Sequence, residues 1–334
     1  MNTKKANVAV IGATGMVGEQ FIKILEERSF PVDNIYFFSS ARSAGKQISF
    51  QGRKYIVEEL NEDNFNKPID IGLFSAGGAI SAKYAPILAG RRGVAIDNSS
   101  HFRMAADVPL VVPEVNPNDV KRHNGIIANP NCSTIQAVVA LAPLHRHFVA
   151  KRVIYNTYQA VSGAGMAGWM DLENGLKGQN HTKFAHPIAN NVIPQIDVFS
   201  NDGYTGEEKK MINETRKILG APHLGVTATC VRVPVFNGHC VSINAEFENI
   251  FDIKEVVDII KQSPGIVVQD DIANGLYPMP VTASGNDAVF VGRLRKDDGA
   301  NALNMWVAAD NIRKGAATNT VQIAELVLQN LQNK

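Results

Sequence analysis

The chain has 334 residues, room for two domains of ordinary size or one large α/β unit, and its 45% hydrophobic and 19% charged content excludes wholesale disorder. With 33 Lys and Arg against 32 Asp and Glu, the net charge of +1 leaves no overall electrostatic footprint for nucleic acid or an anionic membrane. No apolar run approaches the roughly 20 residues of a membrane span, and Met1 to Lys5 leads into Asn7-Val-Ala-Val-Ile11 without a signal-peptide core, so a cytoplasmic protein is expected. Val8 to Ile11 reads as a parallel strand buried on both faces. Gly12-Ala-Thr-Gly15-Met-Val-Gly18 follows, and Phe21, Ile22 and Leu25 then recur at helical spacing until Pro31. Ile35–Phe38, Ile69–Phe74 and Val94–Asp97 read as further strands, the last two ending in Ser75-Ala-Gly77-Gly78 and Asn98-Ser-Ser100. That succession predicts a doubly wound α/β sheet. An apolar helical run from Ile135 to Leu144 comes next.

The second half changes character. Cys240 to Phe247 alternates apolar and polar residues, as a strand of an antiparallel or mixed sheet does. Asp252-Ile-Lys-Glu255 is a capping-box pattern opening a helix that Pro264-Gly265 ends. Val321, Ala324, Val327, Leu328 and Leu331 form an amphipathic stripe near the C-terminus. These shifts place the first domain at 1–130 with 313–334 returning to it, and the second at 131–312.

The glycine turn sits between a strand and a helix, where glycines let the backbone approach a pyrophosphate at the helix N-terminus. Gly12, Ala13, Thr14, Gly15, Met16 and Val17 are therefore candidate cofactor contacts. The end of the second strand, Ser39-Ser40-Ala-Arg42-Ser43, offers hydroxyls and a guanidinium where NAD sites usually carry an acid. That chemistry suits the 2′-phosphate of NADP, although Arg42 also reads as a solvated loop residue. Ser75 and Gly77 join the same group.

Asn129-Pro-Asn131-Cys132-Ser-Thr134 places one cysteine at or just before a helix N-terminus, where the dipole and free amides stabilise a thiolate. Taken alone, such a cysteine is more often a small buried hydrophobe. His239 stands at the mouth of the alternating strand after an Asn-Gly turn, and Arg232 sits between valines, where its charge needs an anionic partner. Cys230 and Cys240 read as reduced packing thiols. A surface histidine and a structural ion pair remain open alternatives for His239 and Arg232.

Six segments in order resemble the bacterial type of aspartate-semialdehyde dehydrogenase over essentially the whole chain. They are Gly12–Gly18, Val108-Pro-Leu-Val-Val-Pro-Glu-Val-Asn116, Asn129–Thr134, Tyr158-Gln-Ala-Val-Ser-Gly-Ala-Gly165, Cys230-Val-Arg-Val-Pro-Val235 with His239, and Asp310-Asn-Ile-Arg-Lys-Gly-Ala-Ala317. The resemblance implies a Rossmann-type domain plus an α+β catalytic and dimerisation domain of the glyceraldehyde-phosphate-dehydrogenase-like kind. It also implies a homodimer, NADP(H) as cofactor and no metal. The implied reaction is reversible conversion of aspartyl 4-phosphate to aspartate 4-semialdehyde through a cysteine thioester, in lysine (diaminopimelate), threonine and methionine biosynthesis.

By the same resemblance Cys132 is the nucleophile, His239 the acid/base and Gln159 the residue that positions the substrate carbonyl. Arg232 holds the α-carboxylate, Glu207 the ammonium, and Arg103 and Lys210 the phosphate, with Asn131 beside them. Ser162, Gly163 and Asn319 are implied cofactor contacts. Thr205-x-x-Glu208 reads as a capping box, leaving Glu207 and Lys210 as i, i+3 neighbours on one helical face. The nearest enzymatic alternative, N-acetyl-γ-glutamyl-phosphate reductase, carries a Pro-Gly-Cys-Tyr type of motif where this chain has Pro-Asn-Cys-Ser, and its substrate has no free ammonium. A non-catalytic NADP-binding paralogue is the alternative of another class, and it has no need for Cys132, Gln159, Arg232 and His239 together.

Overall fold

A computed structural model describes residues 5–332, with side chains to residue 330; Met1 to Lys4, Asn333 and Lys334, and the Leu331 position of the C-terminal stripe lie outside that description. The chain divides into two compact units, one of residues up to Pro130 together with those from Ala316 onward, the other Asn131–Gly315.

In the first unit β1 (Ala6–Ile11), α1 (Met16–Glu27) and β2 (Val32–Ser39) build the expected strand, turn and helix. A small hairpin of β3 (Gln47–Phe50) and β4 (Arg53–Ile56) follows, then β5 (Glu58–Glu59). β6 (Ile71–Phe74), α2 (Gly78–Gly90), β7 (Val94–Asp97) and β8 (Ile126–Ala128) complete a six-stranded sheet in the order β5-β2-β1-β6-β7-β8. Every pairing in it is parallel. Strands this deep are apolar on both faces, and Val8, Ala9, Val10, Ile11, Ile71, Leu73 and Phe74 are all buried. The C-terminal helix Thr318–Gln332 lays Val321, Ala324, Val327 and Leu328 into the same core as Phe21 and Leu25 of α1. The strand order reverses direction between β1 and β6, the place where open parallel sheets bind ligands beyond the strand ends.

The second unit opens with α3 (Cys132–Phe148), longer at both ends than the apolar run. Asn131 starts it three residues early by accepting from the amides of Ser133 and Thr134 at 2.9 and 3.3 Å. Pro143 lies inside it without ending it. There follow β9 (Ala150–Gln159), α4 (Gly165–Leu176), α5 (Gly206–Leu219), β10 (Gly225–Arg232), β11 (His239–Phe247) and α6 (Ile253–Gln262). Asp252 caps α6 at the Lys254 amide. β12 (Ile266–Val268), the short α7 (Pro280–Ala283), β13 (Val289–Lys296) and β14 (Ala302–Ala309) close a mixed sheet ordered β10-β9-β11-β14-β13-β12. One face of β11 is buried through Val241, Ile243, Ala245 and Phe247. On the other, half-buried Ser242 and Asn244 alternate with them, and Tyr158 of β9 meets Trp306 of β14 at 5.2 Å between ring centroids. Among the described residues, no helix is long and apolar enough to cross a membrane.

Candidate active site

In the first unit the glycine turn lies at the sheet's switch point. Gly12 has φ +85°, and a side chain on it would run into the Ser75 carbonyl beyond β6; one on Gly18 would strike the Gly12 carbonyl. These two glycines let the turn close on the sheet. Gly15 instead precedes α1 without giving it a side-chain cap. The first-turn amides around Met16 and Val17 thus have no helical acceptors of their own, the arrangement that takes a diphosphate. The Thr14 hydroxyl is within hydrogen-bond distance of Ser39 (2.8 Å) and Ser43 (3.1 Å), and Ser40 and Arg42 stand exposed beside them. Ala13 is buried. Gly77, at φ +93°, starts α2 with open space where a side chain would be. The residues present fit a dinucleotide.

Two other candidates in this unit are buried and hydrogen-bonded within it. Arg103 is buried and donates from Nε to the Asn129 carbonyl (2.9 Å) and from Nη2 to the Asn98 carbonyl (3.0 Å). Asn319 is fully buried and donates to the Val111 carbonyl at 3.0 Å and the Asn129 side chain at 2.7 Å. That arrangement ties the C-terminal helix to the Asn129 turn.

In the second unit three candidates stand at one end of adjacent strands. Arg232, the last residue of β10, is opposite Gln159, the last of β9; Cys240 of β11 is opposite Tyr158, so His239 comes one step beyond, at the level of Gln159. All three are buried. His239 Nδ1 accepts the Ala160 amide at 3.0 Å. That bond assigns the ring proton to Nε2 in the neutral imidazole. Burial, then the nearby Arg232 charge, holds His239 well below the ordinary imidazole value of 6.5. Arg232 donates from Nη1 to the Ala160 carbonyl at 2.8 Å, and its guanidinium lies 5.8 Å from the Phe184 ring centroid. Among the described residues, Arg232 Nε and His239 Nε2 have no hydrogen-bond partner. A buried charged donor and a buried ring N–H left so are what a polar ligand completes.

Gly163 is the floor between them. A Cβ there would lie 2.8 Å from Arg232 Nη1 and 3.0 Å from His239 Nε2. The resemblance assigns Gly163 to the cofactor; within this unit its backbone lies against His239 and Arg232. Ser162 is held by Asn311, with Asn311 Nδ2 donating to its Oγ at 3.0 Å.

Cys132 is the first residue of α3, half-buried, its thiol at the positive end of a long helix. The residue before it reaches the rest of the site through a carboxylate. Glu207 Oε1 accepts from Asn131 Nδ2 at 2.8 Å and from Gln159 Nε2 at 3.0 Å, and Lys210 Nζ lies 3.2 Å from Oε2. Burial alone would raise the Glu207 carboxyl, but Lys210 and the two amides outweigh it and hold it below the ordinary carboxylate value. Glu208 closes the capping box with Thr205, which turns Glu207 inward. Lys210 is held by Asp197 at 2.8 Å as well, and the two acids raise it although burial opposes them. Gln159 Oε1 accepts from the Thr157 hydroxyl at 3.0 Å.

Sequence reasoning missed several partners. Glu214 accepts the Asn131 amide at 2.6 Å and fixes the start of α3. It follows Glu207 and Lys210 at i, i+3, i+7 along α5, so helical periodicity carried a signal for it. Asp171 gathers the amides of Thr182, Lys183 and Phe184 at 2.7–2.9 Å and so holds the Phe184 ring against Arg232. Nothing local in the sequence marks that link. Cys230 and Cys240 are buried, with burial pushing both thiols up, Cys240 to about 12. Among the described residues, no group of three or more His, Cys, Asp or Glu could hold a metal ion.

Residues 7–123 match the semialdehyde dehydrogenase NAD binding domain family, and residues 141–314 the semialdehyde dehydrogenase dimerisation domain family. Aspartate-semialdehyde dehydrogenase of Aquifex aeolicus is 54% identical over 96% of this chain and 98% of its own. A crystal structure of aspartate semialdehyde dehydrogenase II from Vibrio cholerae, complexed with ASA, superposes with a TM-score of 0.94 at 46% identity, covering 98% of this chain and 99% of that one. The Candida albicans enzyme, solved with NADP, superposes at 0.78 with 26% identity over 97% and 98% of the two chains.

Proposed function

Since the chain belongs to the aspartate-semialdehyde dehydrogenase family and carries its NAD(P)-binding domain, we propose that it converts aspartyl 4-phosphate to aspartate 4-semialdehyde reversibly, with NADPH, through a thioester on Cys132. The observation that carries this reading is the meeting of Gln159, Arg232 and His239 at one end of three adjacent strands, with Glu207 linking Gln159 to the residue that caps the Cys132 helix.

The Cys132 sulfur attacks the acyl phosphate carbon, a C–S bond forms and the C–O bond to phosphate breaks. Arg103 and Lys210 are proposed to receive the phosphate charge. Gln159 Nε2 gives one hydrogen to Glu207 Oε1 and has a second to offer the substrate carbonyl oxygen as its charge develops. NADPH, when bound at the glycine turn, supplies the hydride that reduces the thioester. His239 carries its proton on Nε2 and is neutral; it lends that proton to the oxygen of the tetrahedral adduct and takes it back as the C=O bond re-forms and the C–S bond breaks, releasing the aldehyde and the thiolate of Cys132.

Arg232 offers its unpartnered Nε toward the substrate α-carboxylate, a planar anion that suits a guanidinium. Glu207 has three of its roughly four acceptor sites engaged by Asn131, Gln159 and Lys210, leaving room for one ammonium donor. An N-acetylated substrate presents no such charge, and a buried anion opposite an amide is the poorer match. NADP is favoured over NAD by Ser40, Arg42 and Ser43 beyond β2, where an acid would repel the 2′-phosphate. A homodimer through the second unit fits its open sheet face with Tyr158 and Trp306. Lysine, threonine and methionine biosynthesis would consume the product.

The test is phosphate-dependent reduction of NADP with aspartate semialdehyde, compared with N-acetylglutamate semialdehyde and with NAD. Turnover with aspartate semialdehyde and NADP alone supports the reading. Preference for the N-acetylated aldehyde, or a folded protein without turnover, refutes it.

A further inference from the structure

No step of the acyl transfer above uses the segment Asp310-Asn311-Ile312-Arg313-Lys314-Gly315. Yet Asp310 and Asn311 are 3% and 2% exposed, and their polar atoms are committed to the loops that carry the acid and the nucleophile. Asn311 Oδ1 accepts the amide of Gly238, the residue before His239, at 2.9 Å. Asn311 Nδ2 donates to Ser162 Oγ, in the residue before Gly163, at 3.0 Å. Asp310 Oδ2 accepts from Asn237 Nδ2 and the Gly285 amide, both at 2.8 Å, while Oδ1 accepts the amides of Ile312 and Arg313 at 2.8 and 2.9 Å. Four donors on one buried carboxylate make this a rigid knot.

The same turn ends on the nucleophile. The Gly315 amide donates to the Asp310 carbonyl at 2.9 Å. Its Cα backs onto Cys132 so closely that a Cβ would stand 3.0 Å from Cys132 Cβ and 3.3 Å from Cys132 Cα. The backbone from Arg313 to Ala317 is wound as a π turn, a form that concentrates at functional sites. One short stretch therefore grips the turn before His239, the turn before Gly163 and the backbone of Cys132.

We propose that Asp310 and Asn311 are positioning residues of the acyl-transfer site, fixing the His239 turn and the Cys132 backbone to one frame. Among the described residues the His239 ring is hydrogen-bonded to the Ala160 amide alone, and the Asn237-Gly238 turn that delivers it has φ +90° at Gly238. Without the Asn311 side chain the Gly238 amide beside His239 loses its acceptor and the turn is left to the bonds of Asn237 with Asp310 and Ser162, while Arg232 and Glu207 keep their partners.

The proposal rests on the roles given to Cys132 and His239. The experiment compares Asn311→Ala and Asn311→Asp with wild type and with Cys132→Ser in the full chain. Aspartate keeps an acceptor for the Gly238 amide and another for the Ser162 hydroxyl. In Asn311→Ala, kcat falls about 100-fold, the effect of an ångström-scale misplacement, while KM for the semialdehyde and for NADP stays within about threefold. Asn311→Asp recovers most of the rate. Should Asn311→Ala fail to fold, Gly315→Ala, which presses a methyl on Cys132 without a positive φ to violate, gives the same split of kcat from KM. A folded Asn311→Ala or Gly315→Ala with kcat within about threefold of wild type overturns the proposal, as does failure of Asn311→Asp to recover rate. An active Cys132→Ser instead overturns the catalytic reading beneath it.

Discussion

Gly163→Ala isolates the floor of the site. The substitution adds one methyl and no backbone strain, because Gly163 is not among the positive-φ glycines. Its carbon would stand 2.8 Å from Arg232 Nη1, 3.0 Å from His239 Nε2 and 3.1 Å from His239 Cε1. Ordinary non-bonded contacts need about 3.5–4.0 Å, so the guanidinium and the imidazole must retreat by roughly half an ångström or more. Neither has an easy retreat, since each is fixed to Ala160, at the carbonyl by Arg232 and at the amide by His239. A misplacement of about 1 Å costs about 100-fold, so a loss of roughly 10- to 100-fold in kcat/KM for aspartate semialdehyde is expected. Melting temperature and KM for NADP should stay near wild type. Phosphate-dependent NADP reduction, measured beside a thermal melt, checks this. Near-wild-type kcat/KM would refute the reasoning about the floor; a raised KM for NADP with an unchanged aldehyde response would return Gly163 to the cofactor.

Other expectations follow from the same geometry. Phe184→Leu removes the ring beside Arg232, an interaction of about 0.5–2 kcal/mol, so KM for the semialdehyde should rise roughly 2- to 30-fold with kcat less affected; steady-state kinetics at fixed NADP check it. Arg42→Glu places an acid where the 2′-phosphate is expected, so KM for NADP should rise about tenfold or more while KM for NAD rises little, read from paired titrations. His239 gives a pH signature in stability. Its folded value lies well below 6.5, so the unfolded chain takes up the proton first, and stability present above pH 6.5 is lost as pH falls below it. The slope is at most about 1.4 kcal/mol per pH unit. Urea melts between about pH 7.5 and 5.5 should show a shallower loss in His239→Gln than in wild type; equal slopes would contradict a buried neutral imidazole.

The parallel sheet was legible because its strands are short apolar runs and the glycine turn follows one of them directly. The helix at Cys132 was legible in kind, but Ile135 is where its apolar stripe begins; Asn131 starts it earlier through a side-chain cap that periodicity does not register. Cys132, His239, Arg232 and Glu207 carry chemistry in their types and settings. What holds them does not. Asp171 reaches Phe184 across 13 residues, Asn131 reaches Glu214 across 83, and Asn311 reaches Ser162 across 149. Such pairings follow from the course of the chain, and polar residues at their ends look the same in sequence as solvated ones. Asn319 likewise reaches Val111 and Asn129 across the chain, a pairing its place in the sequence does not show.

The central claim is that Cys132 carries the acyl group. Mixing the wild-type protein with aspartyl 4-phosphate in the absence of NADPH, quenching in acid and mapping peptides by mass tests it most directly. One aspartyl group should appear on the peptide containing Cys132, matched by one equivalent of released phosphate, and neither should appear in Cys132→Ser. An adduct on another residue, or phosphate release by Cys132→Ser at the wild-type rate, would contradict the account.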